Sequence, residues 1–434
     1  MDIRCQRRVL ANGLSVLVHE DRACPLVAVN IWYHVGSKNE RPGRTGLAHL
    51  FEHLMFEGSK HHDRGYFQPL QAAGAVLNGS TNADRTNYWE VVPTGAVELA
   101  LWLEADRMGY LLPALTEAKF SNQREVVLNE RRQNYENRPY GRAAMATVAA
   151  LYPPEHPYSW LTIGAPEDLR AATLDEVHSF FATYYHPANA SLTIAGAIDA
   201  DTAFAYAERY FGDLQPGPPV AREAHDLPPG SEQRIVLEDR VELPRLYLAW
   251  HSPRMFAPGD AELDLVADLL GSGKTSRLYR RLVYERRIAT EVAAFQQSRE
   301  ISGFFQVVAT AAPGHTLGEL EGAILEEVTR LGADGPTDDE MARVLAQAEA
   351  QFVYRLQTVG GFGGKSDQLN AYNVFLGDPS YFNRDIERYL AATPASLSAA
   401  TARFVQPPAR VAVSVVPQGE TALALSDSSL VVVN

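Results

Sequence analysis

The sequence predicts an α+β protein of two homologous domains, each a mostly antiparallel β-sheet packed with helices, joined by a proline-rich linker. Three observations point there. Short β-branched and aromatic runs alternate with longer amphipathic stretches along all 434 residues. That pattern breaks at Leu214, where "LQPGPPVAREAHDLPPGSEQ" holds five prolines and little apolar periodicity. And "AATLDEVHSFFATYYHPANASLTIAG" at 171–196 is paralleled 220 positions later by "AATPASLSAATARFVQPPARVAVSVV" at 391–416. A period that long belongs to a duplicated domain rather than a solenoid. The predicted divisions are 1–213, a linker at 214–232, and 233–434.

Within the first half, "GLSVLVHE" and "LVAVNIWYHVG" read as strands. A helix over 46–57 follows, then a helical piece over 65–73. "GAVLNGSTNADRTNYWEVVP" reads as two strands around a polar turn. Helices are expected at 94–108, 116–135 and 173–184, the last leading into the strand "NASLTIAGAI". The strand–helix pattern restarts after the linker, where "LVADLLGSG" at 265–273 matches "LFEHLMFEGS" at an offset near 213.

Hydrophobic residues make up 46% of the chain, enough for sizeable cores. No run nears eighteen apolar residues, so no membrane-spanning helix is expected. The net charge of −14 disfavours nucleic acid and anionic membranes as partners and is compatible with a cationic or neutral substrate. No signal peptide is visible in "MDIRCQRRVL". The cytoplasm is the expected compartment, or the periplasm if a leader has been removed. Cys5 and Cys24 flank the hairpin "NGLSVLVHED", so a disulfide is geometrically possible, while two reduced thiols suit a cytosolic chain better.

The chemistry concentrates in "GLAHLFEHLMFEGS" at 46–59. This helix is apolar nearly all round, yet it carries His49, Glu52 and His53. At ~100° per residue the three share one arc. Burying unpaired ionisable groups costs several kcal/mol, so something must compensate. Two imidazoles four residues apart on one face chelate a metal, and Zn²⁺ is the usual guest. Glu52, beside both, is placed to take a proton from a water that such an ion polarises. A pair of hydrogen-bonded core histidines with a Glu partner is the plainer reading. It leaves unexplained why all three polar groups share one face.

A catalytic zinc wants a third protein ligand. In the helix 116–135 the apolar face centres on Phe120 and Val127, with Glu130 and Gln123 on its flank. Glu125 and Glu136 fall on the opposite side, and Glu117 sits in a first turn that Thr116 caps. Glu130 is therefore the expected third ligand. "GSGKTSR" at 271–277 imitates a phosphate loop, but Asp268 stands where the loop needs its first glycine, and we read a helix end and turn.

H-x-x-E-H is the inverted zincin motif. "VGSKNERPGRTGLAHLFEHLMFEGS" and "REVVLNERRQNYENRPYG" closely resemble the pitrilysin, insulin-degrading enzyme and mitochondrial processing peptidase family. The likeness extends to "VLNGSTNADRTNYWEVVP", the linker and "GSGKTSRLYRRL". The resemblance implies a metalloendopeptidase with one zinc per chain, held by His49, His53 and Glu130, and Glu52 as general base. It also implies that a peptide binds as an added strand along Asn78, Gly79, Ser80 and Thr81, a stretch that otherwise reads as a hairpin turn.

Two departures stand out. Gln123 occupies the position, seven residues before the third ligand, where the family usually has a second Glu. It can hydrogen-bond to a metal-binding imidazole but carries no charge. The Arg and Tyr that the family's second domain offers to substrate are replaced by Val283 and Thr290. The expectation is a metal-bearing subunit of a heterodimer whose sister chain supplies the Arg and Tyr, or else a homodimer. The competing expectation is a non-catalytic assembly subunit, against which the intact His49, Glu52, His53 and Glu130 argue. A zinc storage or sensor protein would not need Glu52 between the ligands.

Overall fold

The computed structural model describes residues 3–222, 225, 227 and 230–433. Positions 223, 224, 226, 228 and 229 of the proline-rich linker lie outside the described residues. Among the described residues twelve strands form: β1 (Gln6–Val9), β2 (Ser15–Glu20), β3 (Leu26–Tyr33), β4 (Val76–Thr81), β5 (Thr86–Pro93), β6 (Ala190–Gly196), β7 (Gln233–Asp239), β8 (Arg245–Ser252), β9 (Ala289–Gln297), β10 (Gly303–Ala311), β11 (Val411–Pro417) and β12 (Ser429–Leu430). They make two six-stranded sheets, β1-β2-β6-β3-β5-β4 and β12-β7-β11-β8-β10-β9.

The two orders correspond strand for strand from β2/β7 to β4/β9. The senses correspond too. β6 runs parallel to β2 and β11 parallel to β7, while the remaining shared pairs are antiparallel. Only the outermost strands differ: β1 is antiparallel to β2, and β12, from the C-terminal end, is parallel to β7. The duplication read from the sequence is thus a duplicated topology.

The chain folds as two compact units that depart from the linear division at two places. One is Met1–Glu130, Thr162–Glu223 and Gln351–Arg384; the other is Arg131–Leu161, Ala224–Ala350 and Asp385–Asn434. The reason lies in two helices. Ala143–Leu151, almost wholly apolar, covers β8 and β11, and Lys365–Leu376 covers β3 and β6. Their first residues are 222 positions apart (Ala143, Lys365), so the exchange belongs to the duplication. Periodicity marks a helix but does not say which sheet it covers.

In the first unit, the face under Lys365–Leu376 is polar and largely hydrogen-bonded, although Asn30 Oδ1 and Asn373 Oδ1 have no partner among the described residues. Asp367 Oδ1 accepts from Trp32 Nε1 (2.9 Å), Asn87 Nδ2 (3.1 Å) and Asn30 Nδ2 (3.3 Å). Asn370 Oδ1 accepts from Ser191 and Thr193 at 2.7 and 2.8 Å. This ties β5, and with it the β4–β5 hairpin, to the sheet. On the opposite face Arg107 is 1% exposed. Its Nε donates to Glu104 Oε2 at 2.9 Å, and its guanidinium lies 3.8 Å from the Tyr66 ring and 4.2 Å from Tyr88. Phe56 packs edge-on against both tyrosines, which links this pair to the segment after the His49 helix.

In the second unit β10 alternates. Phe305, Val307 and Ala309 enter the helix-covered core with Leu246, Leu248 and Trp250, while Gln306 and Val308 face the other way. Helix Asp260–Gly271 ends where the false phosphate loop begins. Cys5 and Cys24 are not joined in a disulfide. Among the described residues no helix is long and apolar enough to cross a membrane.

Removing Glu104 would strand a buried guanidinium. Glu104→Ala is expected to lower the unfolding free energy by about 3–5 kcal/mol in urea denaturation; a loss below about 1 kcal/mol would show that the pair is not a structural anchor.

Candidate metal centre

The helix Leu47–Leu54 starts at Gly46, whose φ of 88° suits glycine and whose added Cβ would lie 2.9 Å from Leu169 Cδ2. Glu40 caps it from outside, accepting from Gly46 N (3.0 Å) and Ala48 N (2.7 Å). The helix is shorter than the expected 46–57 because Phe56 and Glu57 enter a tight turn, their N–H groups donating to His53 O and Leu54 O. Leu47, Ala48, Leu50, Phe51 and Leu54 are buried, with Phe51 stacked on Phe181. That packing leaves His49, Glu52 and His53 together on the half-buried face.

The helix Glu117–Arg131 brings Glu130 to them, and its last expected turn is instead a π-turn over Arg132–Glu136. Glu136 is not free in solvent but accepts from Arg131 Nε at 3.1 Å. Ligand atoms of His49, His53 and Glu130 all lie within 4.8 Å of one another. Glu130 Oε2 is 3.6 Å from His49 Nε2 and 3.4 Å from His53 Nε2. Ligands about 2.0–2.1 Å from a tetrahedral zinc lie roughly 3.3–3.4 Å apart, so the donor set fits such an ion in type and spacing. The imidazoles are 4.8 Å apart at 87°.

The electrostatics divide the histidines. Burial, helped by the charge of His53, pulls His49 down to about 4, which keeps it in the neutral form that binds metal. Burial also pulls on His53, but its hydrogen bond to Glu130 and the charges of Glu52 and Glu130 outweigh this and raise it. Burial raises Glu52, against the pull of a hydrogen bond from Thr81 and the charges of His53 and Arg85. Glu52 is not one of the three clustered donors.

Gln123 reaches His53. Its Oε1 is 3.3 Å from His53 Nδ1, and its Nε2 donates to Glu57 Oε1. The Glu57 carboxylate thereby turns the amide so that oxygen faces the imidazole, and Nε2 of His53 is left toward Glu130. Sequence reasoning missed Glu57, which the turn after the helix, not the helical repeat, brings beside Gln123. His49 Nδ1, in contrast, is buried without a hydrogen-bond partner among the described residues.

Asn78, Gly79, Ser80 and Thr81 lie on β4, the sheet edge, paired to β5 alone. A Cβ on Gly79 would meet Tyr88 Cδ1 at 2.9 Å and Phe56 Cζ at 3.0 Å, so the bare backbone lets the strand lie close. Thr81 ends that edge beside Glu52. Arg85, also unforeseen, donates from Nη1 to Ser80 O (2.7 Å) and lies over Trp32 at 5.1 Å. In the second unit, Val283 packs on the core and Thr290 Oγ1 donates to Thr310 O at 3.4 Å.

Fold and cluster together define a duplicated α+β protein with one metal-competent H-x-x-E-H site. Residues 15–153 match the family model described as "Insulinase (Peptidase family M16)", and 171–348 the one described as "Peptidase M16 inactive domain". The chain is 29% identical over 381 residues to "Zinc protease PqqE" of Helicobacter pylori, covering 86% of this chain and 84% of that protein. Its fold matches a protease from Helicobacter pylori at TM-score 0.85 and 24% identity, over 96% of this chain and 100% of that one. It equally matches a peptidase M16 inactive domain from Pseudomonas fluorescens at TM-score 0.85 and 20% identity, over 96% and 98%. The chain belongs to peptidase family M16, the pitrilysin family.

Glu57→Ala frees the Gln123 amide and is expected to weaken zinc binding by roughly 10–100-fold in competition against a chelator. Glu125→Ala, on the exposed side of the Glu130 helix, is the control. Equal affinities for the two variants would mean that Glu57 does not orient the ligand.

Proposed function

We propose that the chain is a zinc-dependent endopeptidase that cleaves peptides or unfolded segments laid along β4 as an added strand. One observation carries the reading: two imidazoles and a carboxylate converge at ion spacing while Glu52 stands beside Thr81 at the end of an unpaired strand edge. Bound zinc would supply a Lewis acid for the scissile carbonyl and would lower the pKa of a water to about 7. His49, His53 and Glu130 are the residues that would hold it.

The rest falls to side chains and backbone of this chain. Glu52 accepts the proton of the attacking water and returns it to the leaving amine nitrogen. Its half-buried position, which disfavours the charged form, suits a group that must both take and give a proton. The main chain of β4 aligns the peptide by strand pairing, so affinity comes from backbone groups and is tolerant of sequence. Arg85 places a positive charge near this edge and Glu52.

Val283 and Thr290 provide neither a guanidinium nor a phenol. This supports the reading of the chain as the metal-bearing partner in a heterodimer whose sister chain contributes those groups.

Glu52→Gln is expected to lower peptide hydrolysis by about 10²–10⁴-fold while metal content stays the same; undiminished turnover would remove Glu52 from the base role. The purified wild-type chain is expected to hydrolyse a quenched fluorescent peptide poorly until the sister chain is added. Full activity as a monomer or homodimer would reject the heterodimer.

A further inference from the structure

The second unit contains a cavity of about 510 Å³ that shares no residue with the His49–His53–Glu130 cluster. Its volume is that of small-ligand sites. It lies on the sheet face away from the helix-covered core. Its walls are β8–β10, the loop around Tyr140 and the first turn of the helix Ala143–Leu151. We propose that it binds a carboxylate joined to an apolar or aromatic residue, the chemistry of a peptide C-terminus or of a free acylated amino acid.

Four features point to such a ligand. Gln306 lines the cavity at 6% exposure, and its Nε2 has no hydrogen-bond partner among the described residues. An unpaired buried amide costs about 1–3 kcal/mol, and its neighbours Phe305 and Val307 show that the strand readily takes apolar residues. A ligand oxygen would satisfy it.

Arg245 places a guanidinium in the wall, paired with Glu291, which lines the cavity beside it. Its Nε donates to Thr310 Oγ1 at 2.7 Å and its Nη2 to Glu291, and it also hydrogen-bonds the Tyr247 side chain. The guanidinium is fixed by stacking 3.7 Å from the centre of the Tyr140 ring. Tyr140 is itself held in the left-handed region, φ 61°, by its N–H to Asp239 Oδ2 (2.7 Å) and its O–H to Leu243 O (2.8 Å). Such a conformation costs of order 1–3 kcal/mol and persists only where the surroundings over-determine it.

The helix Ala143–Leu151 adds its positive end. It has no side-chain cap and no acidic residue in its first turn, and the N–H of exposed Ala144 has no acceptor among the described residues. Beyond these polar groups, Tyr247, Ala293, Phe295 and Val308 offer an apolar wall. The lining thus combines the unpaired Gln306 amide and the uncapped helix start, which suit an anion's oxygens, with an apolar wall, while Glu291 holds the Arg245 guanidinium in place.

The test titrates N-acetyl-phenylalanine, its neutral amide, and a pentapeptide ending in Phe as free acid or amide into the full chain, with heat of binding as readout. The acids are expected to bind at least tenfold tighter than the amides. Ala144→Glu puts a carboxylate at the helix start, where it does not harm folding, and should abolish acid binding. Gln306→Leu should weaken it about tenfold. Zinc content serves as the check that both variants are folded. Binding of the pentapeptide acid alone assigns the site to peptide termini, and binding of N-acetyl-phenylalanine alone assigns it to free acids. Equal binding of acids and amides, no binding of any probe, or acid binding that survives Ala144→Glu would overturn the proposal.

Discussion

Placing two imidazoles and a carboxylate on the half-buried face of an apolar helix is unfavourable by several kcal/mol unless each group finds a partner. Much of the first unit serves that requirement. Glu40 and Gly46 set the start of the helix, and Phe51 on Phe181 fixes its roll. A second helix delivers Glu130 to within 3.6 Å of both imidazoles. Burial keeps His49 neutral, and Gln123, turned by Glu57, orients His53. A cation held between His49 Nε2, His53 Nε2 and Glu130 Oε2 would be the partner that offsets this cost.

Duplication explains why the two units share a topology and differ in chemistry. The strand orders match from β2/β7 to β4/β9, and each sheet is covered by a helix displaced by 222 positions from its counterpart. In the first unit that helix, Lys365–Leu376, presents Asp367 and Asn370 to a polar sheet face and locks the hairpin beside Glu52. In the second, Ala143–Leu151 is apolar, and a cavity opens beside its first turn. The same scaffold thus supports a rigid edge in one half and an open recess in the other.

What could be read in advance follows from the range of the interactions. His49, Glu52 and His53 lie within one helical turn or so of each other, so a 3.6-residue repeat suffices to group them. Glu130 was reachable because the apolar stripe of its helix left few inward carboxylates. The α+β duplication showed in a recurrent Ala-Ala-Thr helix and strand. Tertiary choices were not legible. Nothing local says that 351–384 packs with the first sheet or that 131–161 packs with the second. Glu57 and Arg85 were equally hidden, since their partners Gln123 and Trp32 are brought close only by the fold.

The central claim is that His49, His53 and Glu130 jointly bind one ion. X-ray absorption at the zinc edge, on protein purified without added metal, tests it most directly. The account predicts one zinc per chain with two imidazole nitrogens and carboxylate oxygen at about 2.0–2.1 Å, and loss of the oxygen contribution in Glu130→Ala. A metal-free protein, a sulfur-containing shell, or a spectrum unchanged by that substitution would contradict it.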